Sequence, residues 1–263
     1  CDLDPAIGER GFAGTLGKAG YDTAFIGKAH FSSKGSITPS GTPECKQSSV
    51  DYGPDWTGPY MGFEHTELIC HGHFHRIRKP MEPPAGQHFE RWFFSRDENV
   101  LDLWNTDMGP ESGVKDVFNS ALPVAWHSSS WVGDRAIDWI TSRDKEKPFV
   151  MWASFPDPHY SFDCPAPWAY LHHPDEVDIS PTPTRDLKRR PWWHEATLFS
   201  KPISDDPEVV KWRTEGSRTD PLPEHQLRAM TANYFGMISL IDHNVGRLLD
   251  TIDAEGIAEN TLV

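Results

Sequence analysis

The run PFVMWASF, residues 148 to 155, is apolar almost throughout. A strand with one wet face alternates polar and apolar side chains, so a run without alternation predicts a strand covered on both faces. Such strands belong to parallel sheets sandwiched between helix layers, and the neighbouring segments fit that arrangement. Over about 129 to 142, SSWVGDRAIDWITS places Trp131, Val132, Arg135, Ala136, Trp139 and Ile140 in a mainly apolar stripe, with Ser129 or Ser130 as its cap. Earlier, ERGFAGTLGKA (residues 9 to 19) keeps Phe12 and Leu16 at helical spacing, and Gly20 occupies a helix-ending position before the strand YDTAFIGK. A long helix is expected over 224 to 254 with a break near Gly236, followed by NTLV (260 to 263) as the start of another strand. Helices alternating with buried strands predict an α/β fold with an open, largely parallel sheet. Residues 22–28, 148–155 and 260–263 are expected as neighbours in one sheet, with the 129–142 and 224–254 helices packed on it.

The chain has 263 residues, enough for a sizeable core in one large domain or two small ones. Lys and Arg number 25 against 39 Asp and Glu, a net charge of -14. That balance argues against generic binding to nucleic acid or an anionic membrane, and no apolar run reaches bilayer-spanning length. It leaves room for a small anionic substrate in a locally positive pocket. Cys1, Cys45, Cys70 and Cys164 are too scattered to specify a zinc site or a disulfide framework. Eleven Trp and 23 Pro crowd the middle of the chain, which predicts long ordered loops over about 32–120 and 163–222 rather than disorder. Within the first of these, FEHTELIC (63–70) alternates weakly as a strand does, and HFERWFFSRD suggests a short helix.

In open parallel sheets, ligands gather at the carboxyl ends of the strands. Two such ends carry chemistry. FIGKAHF, residues 25 to 31, delivers Lys28 and His30 two positions apart, on one face of an extended chain, with Gly27 marking a bend or a close approach. The run at 148–155 leads into PDPHYSF and His159. An ammonium and imidazoles at adjacent strand ends suit an anion. His127, just before the 129–142 helix, would either face an anionic substrate at a helix N-terminus or cap and pack that helix. Three further features read as structural. His71, His73 and His75 in HGHFHR share a face if extended but lack a carboxylate or thiol partner, and read as a polar loop. Asp242 reads as a satisfied structural carboxylate and His243 as surface. KRRPWWHE (188–195) mixes charge and aromatics but reads as loop packing or a substrate rim.

Three blocks, in order, resemble the sulfatases of the alkaline-phosphatase-like superfamily: TLGKAGYDTAFIGKAHF (15–31), KPFVMWASFPDPHYSF (147–162) and ANYFGMISLIDHNVGRLLDTIDAEGIAENTLV (232–263). The resemblance implies an α/β/α sandwich with a largely parallel mixed sheet, residues 1–263 forming part of a single catalytic domain incomplete at both ends. It implies that Lys28 and His30 match a G-K-x-H pair that binds sulfate and an aldehyde-hydrate nucleophile. His159 matches a Pro-His histidine that contacts the sulfate or the leaving-group oxygen, and His127 joins the candidate substrate contacts. The implied cofactors are Ca2+ and a formylglycine, the latter made by a maturation enzyme from cysteine in C-x-P/A-x-R. The sequence departs from that pattern. None of the four cysteines stands in the motif; Cys164 in CPAPW comes nearest, but Trp168 occupies the arginine position. The family's N-terminal aspartate pair and its S-D-H-G motif are absent too, the latter expected just after Val263. The resemblance therefore implies a sulfuric ester hydrolase whose nucleophile and metal ligands lie outside these residues. The chain by itself is expected to be inactive and to bind calcium weakly. A phosphonate or phosphate monoester hydrolase, or a non-catalytic anion-binding relative, are the alternatives.

Overall fold

The computed structural model describes residues 3–32, 40–70, 80–179, 189–192 and 222–263, together with Pro207 and Val210. In chain order the elements are α1 (Pro5–Gly8), α2 (Phe12–Lys18), β1 (Asp22–Lys28), α3 (Lys46–Ser49), β2 (His65–Ile69), α4 (His88–Phe94), α5 (Val100–Asn105), β3 (Val117–Ser120), α6 (Ser128–Ser142), β4 (Phe149–Ser154), β5 (Phe162–Pro165) and α7 (Glu224–Ala254). The main sheet has the order β2-β1-β4 and is parallel throughout, with Lys28 opposite Ile69 on one side and Gly27 opposite Ser154 on the other. A second, two-stranded parallel sheet joins β3 to β5.

Side-chain alternation along β1 sorts the two cores. Ile26 points to a layer formed by Ile69, Phe89, Phe93, Trp131, Ala136, Ile140, Leu248 and Ile252, drawn from β2, α4, α6 and α7. Phe25 points the other way, to Ala13 of α2 and to Leu68, Phe63 and Tyr60. Helices thus lie on both faces of the sheet at its central strand β1. A fork from Arg135 on α6 to Glu67 on β2, with N–O distances of 2.6 and 3.0 Å, pins helix to sheet. Burial works against the Glu67 charge, yet bonds from His65 and Arg135 hold its carboxyl down at about 2.

Four expectations are corrected. The strand at 148–155 is not covered on both faces by the described residues: β4 is an edge strand whose residues are all partly exposed, and Trp152 is 43% exposed. Residues 260–263 form no strand. The N–H groups of Asn260 and Thr261 bond back to the carbonyls of Ile257 and Ala258 in a tight turn, and Leu262 and Val263 are exposed. The long helix does not break at Gly236. The glycine is there because the carbonyl of Trp168 comes so close that a Cβ would sit 2.5 Å from it. Asp242 lies exposed on α7 beside exposed His243, so it is a surface carboxylate. The loop-rich middle also contains two strands, β3 and β5, that its composition did not reveal.

Candidate functional site

β1 and β4 run parallel as neighbours, so both chains leave the sheet at the same end. Lys28 is the last residue of β1 and half-buried; His30 follows it and is exposed. The Ser154 hydroxyl, at the end of β4, donates to the Lys28 carbonyl at 2.8 Å and locks the two strand ends together. Beyond Ser154 runs the loop that carries exposed His159, whose ring stacks on Tyr160 with centroids 4.6 Å apart. Its Nδ1 donates to the Tyr160 carbonyl, so an imidazolium there would hold its second proton on Nε2. Of the residues expected from sequence, Lys28 and His30 share one strand exit and His159 lies in the loop from the next.

His127 does the capping half of what was expected of it. It is the N-cap of α6, its Nδ1 accepting from the Ser129 N–H at 3.4 Å, in place of the serines expected there. Its Nε2 donates to the Asp163 carbonyl at 3.0 Å, and only 3% of the residue is exposed. It therefore lies beneath the strand exits. His71, His73 and His75 lie outside the described residues, as do Lys188 and residues 193–195 of the basic-aromatic stretch.

Around His127 is a buried polar cluster that sequence reasoning missed. Asp157 has a side chain 1% exposed, lies 3.5 Å from His127 Nδ1, and accepts a short hydrogen bond from the Ser129 hydroxyl. Burial makes its carboxyl hold a proton more tightly than usual, while the His127 ring, the Ser129 bond and the charge of Lys28 oppose that shift. Asp163 on β5 is also buried, and burial pushes its carboxyl up to about 7. One of its oxygens, Oδ1, has no hydrogen-bond partner. On the far side, buried Glu44 accepts from the Phe31 N–H at 3.1 Å and from the Tyr60 hydroxyl at 2.8 Å, fixing the backbone just after His30. The one available sequence signal was an aspartate between two prolines at a strand's carboxyl end.

Asp163 supplies a stability test. Its folded value of about 7 stands above the ordinary 3.8, so the folded chain keeps that proton more tightly than the unfolded one. The resulting support for folding is full below the ordinary value, is lost as pH rises through about 7, and leaves a buried charge to be carried above it. Asp163→Asn should therefore raise the melting temperature at pH 8 and not at pH 4. Thermal unfolding at the two pH values checks this; an equal shift at both would disprove it.

Calcium requires six to eight oxygen ligands. Among the described residues, no three or more His, Cys, Asp or Glu side chains are grouped to hold a metal ion, and Lys28, His30 and His159 offer nitrogens only. The buried carboxylates of Asp157 and Asp163 face an imidazole and hydroxyls, an arrangement suited to protons rather than to a doubly charged ion. The described residues do not fit calcium by themselves. Cys45, Cys70 and Cys164 are buried. Burial pushes the Cys164 thiol well up, which makes it a poor nucleophile, whereas at Cys45 burial is outweighed by hydrogen bonds to Ser40, Ser48 and Gln47 that draw its thiol down.

The sulfatase family model matches residues 4–263, nearly the whole chain. The chain belongs to the sulfatase family. Among curated sulfatase relatives, an arylsulfatase of Clostridium perfringens is 23% identical over 260 residues, covering 97% of this chain and 45% of that protein. The uncharacterized sulfatase YidJ of Escherichia coli is 22% identical over 248 residues, covering 93% of this chain and 38% of its own length. The fold is also that of a phosphonate monoester hydrolase from Agrobacterium radiobacter, with TM-score 0.57 and 17% identity over 95% of this chain and 45% of that one. This sulfatase-family chain therefore spans less than half the length of these relatives. It shares their alkaline-phosphatase-like α/β architecture.

Proposed function

We propose that the full-length protein hydrolyses an organic sulfate ester, and that Lys28, His30 and His159 form the anion-facing part of its active site. The observation that carries this reading is the parallel pairing of β1 with β4, which puts Lys28 and the His159 loop at one end of the sheet in a sulfatase-family chain. As a sulfuryl group passes to a nucleophile, charge spreads over its oxygens, and fixed cationic donors in a water-poor site lower that barrier. In this reading Lys28 and His30 supply such donors. The departing oxygen needs a proton, which His159 would deliver from Nε2 as an imidazolium. His127 acts from below, through the N-terminus of α6. The nucleophile, a formylglycine in this reading, and the calcium that sulfatases pair with it would come from residues outside this chain, matured by a dedicated enzyme. Residues 1–263 are then one part of a single catalytic domain and should not turn over on their own. The partner is a small-molecule ester, in keeping with the net charge of -14, which disfavours nucleic acid. Among the described residues no helix is long and apolar enough to cross a membrane.

The second reading is phosphonate or phosphate monoester hydrolysis. Two likenesses favour it: the solved phosphonate monoester hydrolases, and the multifunctional alkaline phosphatase superfamily protein PehA of Trinickia caryophylli, 26% identical over 172 residues and matching 65% of this chain. Matched aryl sulfate and aryl phosphonate substrates, given to the full-length protein with its maturation enzyme, separate the two. Faster release of the aryl group from the sulfate is expected. A phosphonate rate exceeding the sulfate rate would move the assignment to the second reading, and no release from either would remove both.

A further inference from the structure

We propose that the cavity between β3 and the amino-terminal half of α7 binds an organic cation, an ammonium carried on an apolar body. The cavity has a volume of about 400 Å³, within the range of small-molecule pockets. β3 contributes Val117 and Asn119, α7 contributes Ala229, Ala232 and Asn233, and the segment after β5 adds Ala169 and Tyr170. The turn over residues 107–113 borders it and is tied down from three sides. The Tyr170 hydroxyl and the Asn119 amide donate to the Gly109 carbonyl at 3.0 and 2.9 Å, and the Gln226 amide donates to the Gly113 carbonyl at 3.1 Å. These bonds set the walls in place before a ligand arrives. Lys28, His30 and His159 are not among the described residues that line the cavity, so the proposal does not rest on the reading of the strand exits.

Two independent observations give the ligand its chemistry. The first is an orphaned acceptor. Asn233 lines the cavity and is only 3% exposed. Its Nδ2 donates to the Phe118 carbonyl and to Asn119 Oδ1, both at 3.0 Å, which fixes the orientation of the amide. Its Oδ1 is left buried without a hydrogen-bond partner. An unpaired buried acceptor is costly, and a ligand N–H would satisfy it. The second observation is charge. Asp107 and Glu111 line the cavity, and among the described residues no lysine or arginine does. Asp107 is held in place, because its Oδ1 accepts from the Gly109 and Asn119 N–H groups at 3.0 Å each. His172, His173 and His225 also face the space, but an imidazole can give or accept a hydrogen bond and serves a ligand of either sign. An anion entering here would meet two carboxylates and no fixed cation. The chain's net charge of -14 draws cations toward it. Among the described residues no three His, Cys, Asp or Glu are grouped to hold a metal, and the walls of Val117, Ala169, Ala229 and Ala232 suit an uncharged body behind an ammonium.

The test uses the full-length protein and three indole probes of closely similar shape: the cation tryptamine, the neutral alcohol tryptophol and the anion indole-3-acetate. Titration calorimetry at pH 8 should give tryptamine an affinity about tenfold above that of tryptophol, the scale of one charge-assisted contact. Indole-3-acetate should bind more weakly than tryptophol. Ala229→Trp fills the cavity from a partly exposed helix position and touches none of the hydrogen bonds above, so it should abolish tryptamine binding. Glu111→Gln changes an exposed position and decides the matter if Ala229→Trp does not fold. It should narrow the gap between tryptamine and tryptophol by about threefold, the scale of an exposed charge pair, and leave tryptophol itself unaffected. Equal binding of the three probes, or tighter binding of indole-3-acetate, would overturn the preference for a cation. Tryptamine binding undiminished in Ala229→Trp would show that the cavity is not where it binds, and no binding of tryptamine at millimolar concentration would remove the site altogether. Sulfate turnover enters none of these measurements, so their outcome and that of the sulfate-ester assay stand apart.

Discussion

Lys28→Ala in the full-length protein should lower the turnover of an aryl sulfate by about a hundredfold or more, the scale for one preorganised charge-stabilising group. Three features of the structure make the loss large. Lys28 is half-buried at the strand exit, so its charge is screened by water less than that of a surface lysine. Its backbone is fixed by the Ser154 hydroxyl at 2.8 Å, so no neighbouring residue can slide into its place. Truncation also leaves Asp157 behind with one compensating charge fewer. His159→Ala should cost a similar factor through the proton it no longer gives, but the two losses should differ with substrate. An ester with an acidic phenol as its leaving group needs little proton donation, so His159→Ala should recover most of its rate there and Lys28→Ala should not. Sulfate release from two aryl sulfates of different leaving-group acidity makes the comparison. Unchanged rates in Lys28→Ala would remove this residue from the mechanism.

Gly27→Ala should destabilise the fold by about 3 kcal/mol or more, the range for forcing a strained backbone together with a buried clash. Gly27 has φ +121°, a region closed to side chains, and an added Cβ would lie 1.9 Å from the Ser154 carbonyl oxygen. Those atoms belong to the neighbouring strand, so relief requires moving β1 away from β4. Because Lys28 follows at once, the site should open as the sheet loosens. Chemical denaturation of the isolated chain measures the first effect and sulfate binding by the full-length variant the second. A melting curve superimposable on wild type would show that the strand exit tolerates a side chain and that its close approach has been misjudged.

Gly27 shows how far the sequence could be read. Its position in FIGK announced a close approach, though not what approached; Ser154 lies 127 positions later, and no local pattern specifies that pairing. The same division runs through the fold. Local periodicity placed α6 within one residue and α7 at both bounds, because a buried stripe of Trp131, Ala136 and Ile140 repeats at helical spacing. β3 and β5 escaped notice because VFNS and FDCP are too short for alternation to register, and each becomes a strand only by pairing with the other. Of the proposed site, the strand ends that carry Lys28, His30 and His159 were legible in the sequence. Asp157, Ser129, Asp163 and Glu44 were not. Asp157 looks like an ordinary turn aspartate before proline, and Glu44 sits in a Ser-, Gly- and Pro-rich stretch that reads as loop. Their importance comes from burial, and burial is a property of the assembled chain.

The strand order β2-β1-β4 also has a bearing on how the molecule is made. The two halves of the proposed anion site lie at the exits of adjacent strands, yet the bond that joins those exits spans 126 positions in the chain. Closing so large a loop must precede any reward from the contacts inside it, and pairings of this kind form slowly. A chain emerging from the ribosome therefore carries Lys28 on a half-finished sheet, with one edge of β1 uncovered, until β4 has been synthesised. The proposed anion site is then a late product of folding, so a defect in long-range assembly should register as lost sulfate binding before helix content shows any change.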